Sequence, residues 1–310
     1  QKYNVTSSGA TILAIISLEA FAGMWINAFM VCVLCIGWVK KKTLNSNERI
    51  LLLLGCSRFW SLCFSWIYSF LSNIYPNFLL VHSILQLLEG AYSFCNCSNL
   101  SFSACLCVFY CIKIANFRNS FFIYLKVKID RIVPWLLLGS TIFSLIIGIL
   151  VYNTIDTALC KNFNFTCQER LCKASIRIEE HFYPLFFLTG FLYTTSFMAV
   201  IFSSVFLLFS LWRHKCNMQT NSMKDLSIDA HIKAMKSILS FFIMYSINFL
   251  SLMLTLIYAM DFQNKAIFFV YLIQHAYPGL HSLILIFTNP KLEKALLRIP
   301  SCVKCKVCMR

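Results

Sequence analysis

The sequence predicts an all-α membrane protein, a seven-transmembrane helix bundle with its N-terminus extracellular and its C-terminus cytoplasmic. Three observations predict it. The chain of 310 residues is 59% hydrophobic and 13% charged, with a mean hydropathy of +0.72, and a soluble domain cannot cover that much apolar surface. The apolar residues gather into seven runs of span length. The lysines and arginines gather in alternate connections between those runs.

The runs cover about residues 9–38, 50–72, 80–112, 132–153, 183–212, 232–260 and 266–287. Each reaches the roughly 20 residues a helix needs to cross about 30 Å of hydrocarbon. Each must be helical, because every backbone N–H and C=O in lipid needs a partner within its own segment. The first run follows a short polar N-terminus and is too long for the apolar core of a cleavable signal, so it reads as a spanning helix that also directs insertion. The third run is the most polar and the seventh is among the shortest. The bundle is assigned to residues 1–299, and residues 300–310 form a short basic tail with three cysteines.

Orientation follows from charge. Lys40, Lys41, Lys42 and Arg49 follow run 1, and Lys113, Arg118, Lys126, Lys128 and Arg131 follow run 3. Arg213, Lys215, Lys224, Lys233 and Lys236 follow run 5, and Lys291, Lys294, Arg298, Lys304, Lys306 and Arg310 follow run 7. The opposite side holds only Lys2, Lys161, Arg170, Lys173, Arg177 and Lys265, so the positive-inside bias sets the direction stated above. The sequons at Asn4 and Asn164 fall on the extracellular side and agree with it. Two further matches, at Asn96 and Asn99, fall inside the third run, where burial makes them chance matches. The net charge of +15 would point to nucleic acid in a soluble chain. Here the cations sit in short segments between spans, which suits anionic lipid, and nucleic acid is excluded.

Most of the 16 cysteines lie in apolar runs and read as small buried hydrophobes. Cys160, Cys167 and Cys172 flank the Asn164 sequon and allow one local disulfide with one cysteine left over. Cys302, Cys305 and Cys308 stand among Lys304, Lys306 and Arg310. Their spacing is compatible with metal ligation, but a short basic tail makes a poor cage, and palmitoylation is the better reading. There is no nucleophile triad, phosphate loop or HExxH, so the chain reads as a non-enzyme without cofactor or metal.

The ends of the runs on the basic side carry the most distinctive blocks. They are Ile26-Asn27-Ala28-Phe29, Ser57-Arg58-Phe59, Phe109-Tyr110-Cys111-Ile112-Lys113-Ile114-Ala115-Asn116-Phe117, Ser210-Leu211-Trp212-Arg213-His214, His231-Ile232-Lys233-Ala234-Met235-Lys236, and Tyr277-Pro278-Gly279-Leu280-His281-Ser282. In this order and on this side of the membrane, the set resembles the bitter taste (type 2 taste) receptors over essentially the whole chain. The chain lacks the Asp-Arg-Tyr and Asn-Pro-x-x-Tyr blocks of rhodopsin-like receptors. It also lacks a cysteine at the outer end of the third run.

The resemblance implies a plasma-membrane, multi-pass G protein-coupled receptor for small, mostly apolar bitter agonists, acting through a heterotrimeric G protein of gustducin or Gi type. It implies ligand contact at Tyr92 and Asn96, which share a helix face at a spacing of four. Glu89 lies close to that face, and an acid within a span is a functional position by default. Tyr271 and Gln274 lie near the outer mouth of the seventh run, with Tyr271 where many relatives have an acid. Trp66, Phe182 and Asn248 are further pocket positions, with ordinary packing as their competing role. The resemblance implies G-protein contact at Tyr110 and Lys113, and the basic and polar mouth formed with His214, Lys215, His231, Lys233 and Lys236 suits a docking G-protein helix or, equally for the loop lysines, lipid headgroups.

Arg58, a cation within a span, must be paired inside the bundle. Asn27, Pro278, His281 and Ser282 share its layer by resemblance, as a static clamp or as one that rearranges on activation. Three matters stay open: a vomeronasal-type pheromone receptor, a secondary transporter or channel, and homo- or hetero-oligomerisation.

Overall fold

A computed structural model describes the backbone of residues 7–75, 78, 84–114, 120–162, 170–220, 225–258 and 266–307, with side chains outside 7–10, 121, 156–186, 214–237, 256–258, 266–268 and 299–307. The described residues form eight helices and no strand: α1 (Ser7–Lys41), α2 (Ser46–Ile74), α3 (Ile84–Ile114), α4 (Ser120–Asn162), α5 (Arg170–Thr220), α6 (Asp225–Tyr258), α7 (Ala266–Thr288) and α8 (Pro290–Val307). Helices α1 to α7 are each long and apolar enough to cross a membrane, as predicted.

Several helices extend past the hydropathy runs, α5 among them, which begins at Arg170 against a run read from 183. Helix α4 begins at Ser120, well before its apolar run, so Lys126, Lys128 and Arg131 ride on helix rather than on a connection. Hydropathy misses such a start because a helix leaving lipid keeps its backbone bonds while its side chains turn polar. The tail is also not a simple extension. Asn289 accepts hydrogen bonds through Oδ1 from the backbone N–H groups of Lys291 (3.0 Å) and Leu292 (3.4 Å), which caps α8. Pro290 occupies the first turn, where a missing N–H costs nothing. Leu292 is fully buried and pins the helix to the bundle, and α8 runs across the boundary drawn between residues 299 and 300.

The helices form a ring in the order α1, α2, α3, α5, α6, α7, closed by α7 on α1, with α4 packed outside it, chiefly on α3. Burial follows from polarity. The third span is among the least apolar and is the most buried, whereas the fourth is the most apolar and turns Trp135, Leu138, Ile142 and Leu145 outward. Lipid tolerates only an apolar face, so the polar side chains of α3 are directed inward.

Small residues set two close crossings. A Cβ on Gly279 of α7 would lie 3.1 Å from the Gly23 Cα of α1. That approach, one turn away on each helix, brings Asn27 to Ser282. On α3 and α4, a Cβ on Gly148 would sit 2.9 Å from the Gly90 carbonyl oxygen and 3.0 Å from Phe94 Cβ. Such contacts let membrane helices gain dispersion energy where lipid offers no hydrophobic drive. Gly148→Ala is therefore expected to lower the melting temperature of the detergent-solubilised protein, by the about 1–3 kcal/mol typical of over-packing. Gly139→Ala, in the same helix with nothing within 4 Å of its Cβ, should be neutral or slightly stabilising. Equal responses of the two variants would refute this account of the crossing.

Candidate functional site

The Arg58 guanidinium has no exposed surface, and all its nitrogens are directed at protein. Nε donates to Asn99 Oδ1 (2.9 Å), Nη1 to Ser282 Oγ (2.8 Å) and Nη2 to Ser103 Oγ (3.3 Å). Nη2 also lies 2.6 Å from His281 Nδ1. A guanidinium has only donors, so Nδ1 must accept, and the imidazole hydrogen sits on Nε2. Ser282 passes the chain on to Asn27 Oδ1 (2.7 Å), and Asn27 Nδ2 donates to the Gly23 carbonyl (2.8 Å). The Tyr277 ring faces the Arg58 Cζ at 5.9 Å, and its hydroxyl lies 2.9 Å from His281 Nδ1. Among the described residues no carboxylate pairs with Arg58. Its charge is spread over neutral dipoles of α3 and α7.

This layer divides the interior. On the side away from Lys113 and Lys291 lies a cavity of about 180 Å³, lined by Phe64, Tyr68, Glu89, Tyr92, Tyr193, Tyr271 and neighbours. Beneath it a chamber of about 20 Å³ is walled by Asn96, Asn99, Asn248, His275 and Tyr277. Asn96, Tyr92 and Gln274 line both spaces, and Asn99 and Tyr277 also touch the guanidinium, so the cavity is coupled to the layer through shared walls. On the other side of the layer, Phe241 packs edge-on against His281 (4.6 Å between centroids). Phe241 also lines a small apolar recess with Cys107, Tyr110 and Leu285.

The basic end is held by polar ties. Tyr110 donates to Asn47 Oδ1 (3.0 Å), Lys113 pairs with Asp130 (2.6 Å), and Lys291 pairs with Glu48 (2.6 Å). Glu48 also accepts from the Asn45 backbone N–H (3.2 Å) at the start of α2.

The structure brings together most residues singled out in the sequence. Glu89, Tyr92, Asn96, Tyr271 and Gln274 line the cavity. Asn248, 4% exposed, faces only the deeper chamber. Trp66 does not line the cavity; it donates to Ser17 Oγ (3.0 Å) and packs on Phe21 and Phe70. Asn27, Arg58, His281 and Ser282 form one layer, while Pro278 lines the chamber beside it. His214 and Lys215 fall in α5, and His231, Lys233 and Lys236 in α6, with side chains outside those described, as are the side chains of Phe182, Cys302 and Cys305. Asn4, Asn164 and Cys308 lie outside the described residues altogether.

Sequence reasoning missed Asn99, Ser103 and Tyr277 as partners of Arg58, and Tyr68 and Tyr193 as cavity walls. The spacing of four between Asn99 and Ser103, and between Tyr277 and His281, was the available signal.

Seven spans, a polar layer sealed around one guanidinium, and an aromatic cavity on one side of it define a multi-pass membrane helix bundle with an internal cavity. A family model described as Taste receptor protein (TAS2R) matches residues 5–304. The chain is 31% identical over 306 residues to Taste receptor type 2 member 7 of Macaca mulatta, covering 95% of this chain and 94% of the relative. It is 32% identical over 300 residues to Taste receptor type 2 member 109 of Mus musculus, with coverage of 95% and 94%. It is 30% identical over 302 residues to Taste receptor type 2 member 9 of Homo sapiens, with coverage of 96% and 95%. The chain belongs to this family of plasma-membrane taste receptors, which are receptors and not enzymes.

The layer makes a graded prediction. Ser282→Ala removes a hydrogen bond to a charge and should cost about 2 kcal/mol. A bond between neutral groups in a membrane, such as Ser282 to Asn27, is worth about 0.6 kcal/mol. Arg58→Lys should be more damaging than Ser282→Ala, because one ammonium cannot reach Asn99, Ser103, Ser282 and His281 together. Thermal unfolding of the solubilised variants checks the ranking; an Arg58→Lys protein as stable as the parent would overturn it.

Proposed function

We propose that the protein is a bitter taste receptor in which a small, mostly apolar agonist occupies the cavity around Tyr92 and activates a gustducin- or Gi-type G protein at the basic end. The observation that carries this reading is the shared wall: Asn99 and Tyr277 border both the chamber below the cavity and the Arg58 guanidinium. An agonist that repositions α3 or α7 must then disturb the layer. His281 adds a reason for the layer to move. Its Nε2–H is buried without a hydrogen-bond partner among the described residues, which costs about 1–3 kcal/mol and is recoverable in another arrangement. Binding tighter to that second arrangement is what an agonist needs to do.

In this reading the N-terminus and the cavity are extracellular, and the sequons at Asn4 and Asn164 carry glycans. The tail cysteines Cys302, Cys305 and Cys308 carry lipid. The recess beside Tyr110 widens as α6 shifts and receives a helix of the G protein α-subunit. Tyr110, Lys113 and the basic positions His214, Lys215, His231, Lys233 and Lys236 form its rim. No cofactor is required. An agonist-dependent calcium response in cells carrying a chimeric gustducin-type G protein tests the assignment. A current or solute uptake independent of G protein would replace it with a channel or transporter.

The pair Lys113–Asp130 must open for Lys113 to meet a G protein. Both side chains are about half exposed (46% and 52%), so the pair is worth no more than about 1 kcal/mol. Asp130→Asn is expected to raise basal calcium signalling by less than about fivefold at unchanged surface expression. A fall in basal signalling would argue that the pair supports the active arrangement instead.

A further inference from the structure

Asn248 of α6 is 4% exposed and lines the small chamber beneath the cavity, and its Nδ2 group is buried without a hydrogen-bond partner among the described residues. A buried amide donor in that state is rare, because nothing offsets the water it gave up. The polar residues around it already share bonds among themselves. Asn96 Nδ2 donates to the Tyr193 hydroxyl (3.1 Å), Asn99 Oδ1 accepts from Arg58 Nε (2.9 Å), and Gln274 Nε2 donates to Thr255 Oγ1 (2.6 Å). His275 is answered at both ring nitrogens. Its Nδ1 donates to the Tyr271 carbonyl (2.8 Å), so its Nε2 accepts from Ser65 Oγ (2.8 Å). The wall therefore has one donor that requires an acceptor and no protein group that supplies it.

We infer that the chamber holds a single buried water, which accepts from Asn248 and ties α6 to the guanidinium layer. Volume selects the occupant first. The chamber's space of about 20 Å³ clears the roughly 10–15 Å³ that one water requires and leaves no room for an organic ligand. Partners select it next. A buried water needs two to four polar neighbours, and Asn96 Oδ1, Asn99 Nδ2 and Gln274 Oε1, unused in the bonds above, belong to residues of this wall. Charge selects it last. No charged side chain among the described residues lines the chamber, so neither a cation nor an anion finds a counter-charge there. The hydrogen bonds of the layer run through α1, α2, α3 and α7. The water adds α6, with Asn248 on one side and Asn99 on the other, so a displacement of α6 must break this link or carry it along. The site is independent of whether the cavity above takes an agonist.

X-ray radiolysis of the purified full chain in detergent tests the inference, with oxidised side chains counted by mass spectrometry. Hydroxyl radicals formed from a bound water attack the side chains beside it, even where bulk solvent is excluded. Tyr277 and Tyr245 make the comparison, since both are buried (2% and 0% exposed) and Tyr277 borders the chamber whereas Tyr245 does not. Tyr277 is expected to be oxidised at least about fivefold faster than Tyr245, as a residue beside a retained water. Ser61→Leu, which fills the chamber from α2, is expected to bring the two rates together. Asn248→Leu is expected to lower the melting temperature, because the water loses its donor. A dry chamber predicts the reverse, a higher melting temperature once the unanswered amide is gone. Equal oxidation of the two tyrosines in the parent, a preference for Tyr277 that survives in Ser61→Leu, or a stabilised Asn248→Leu would each overturn the inference. The comparison within the parent needs no substitution, so a variant that fails to fold leaves the test intact.

Discussion

A guanidinium sealed inside a membrane-spanning bundle must have every N–H answered by protein, and that requirement organises this molecule. Arg58 reaches Asn99 and Ser103 on α3 and Ser282 and His281 on α7, and through Ser282 it reaches Asn27 on α1. Four helices are thereby fixed in register at one depth. The geometry is possible only because Gly23 and Gly279 let α1 and α7 approach almost to backbone contact. Apolar packing alone would not fix such a register, since lipid competes for apolar side chains on nearly equal terms.

The layer also gives the interior a sequence of compartments along its axis. An aromatic cavity, a small amide-walled chamber, the guanidinium layer and an apolar recess follow one another; the cavity and chamber share Asn96, and the chamber and layer share Asn99 and Tyr277. Phe241 closes the last step by touching His281 on one side and lining the recess on the other. Rigid shared walls between compartments carry displacement better than separate ones, because a packed interior has few intermediate arrangements. The two ends differ in character. The cavity end is lined by aromatic rings, whereas the basic end holds one half-exposed ion pair, Lys113–Asp130, that opens cheaply, beside the part-buried pair Lys291–Glu48.

The spans were legible in the sequence because hydropathy reports the one property that lipid enforces. The layer was partly legible: a lone arginine in an apolar run cannot go unpaired, and the family resemblance placed Asn27, His281 and Ser282 in its layer. Asn99 was hidden by its own sequence context, a sequon whose glycosylation burial rules out. Ser103 and Tyr277 were hidden because serine and tyrosine are common in spans and carry no charge that demands explanation. The start of α4 and the whole of α8 escaped the reading for another reason. Both lie where helix continues past the apolar run, and only the cap at Asn289 and the buried Leu292 mark the second. Trp66 lies near the cavity in sequence, but its indole finds a partner in Ser17 and turns to α1.

The partners of Arg58 are split along the chain. Asn99 and Ser103 lie 41 and 45 residues downstream, whereas His281 and Ser282 lie 223 and 224 residues downstream. During synthesis α2 therefore enters the bilayer with its guanidinium half-answered, and it remains so until the seventh span emerges. The early helices cannot complete their core in the order in which they are made. A chain that stops between α2 and α7 leaves the guanidinium without Ser282 and His281. The residue that fixes the finished bundle thus also serves as an internal checkpoint on its biogenesis.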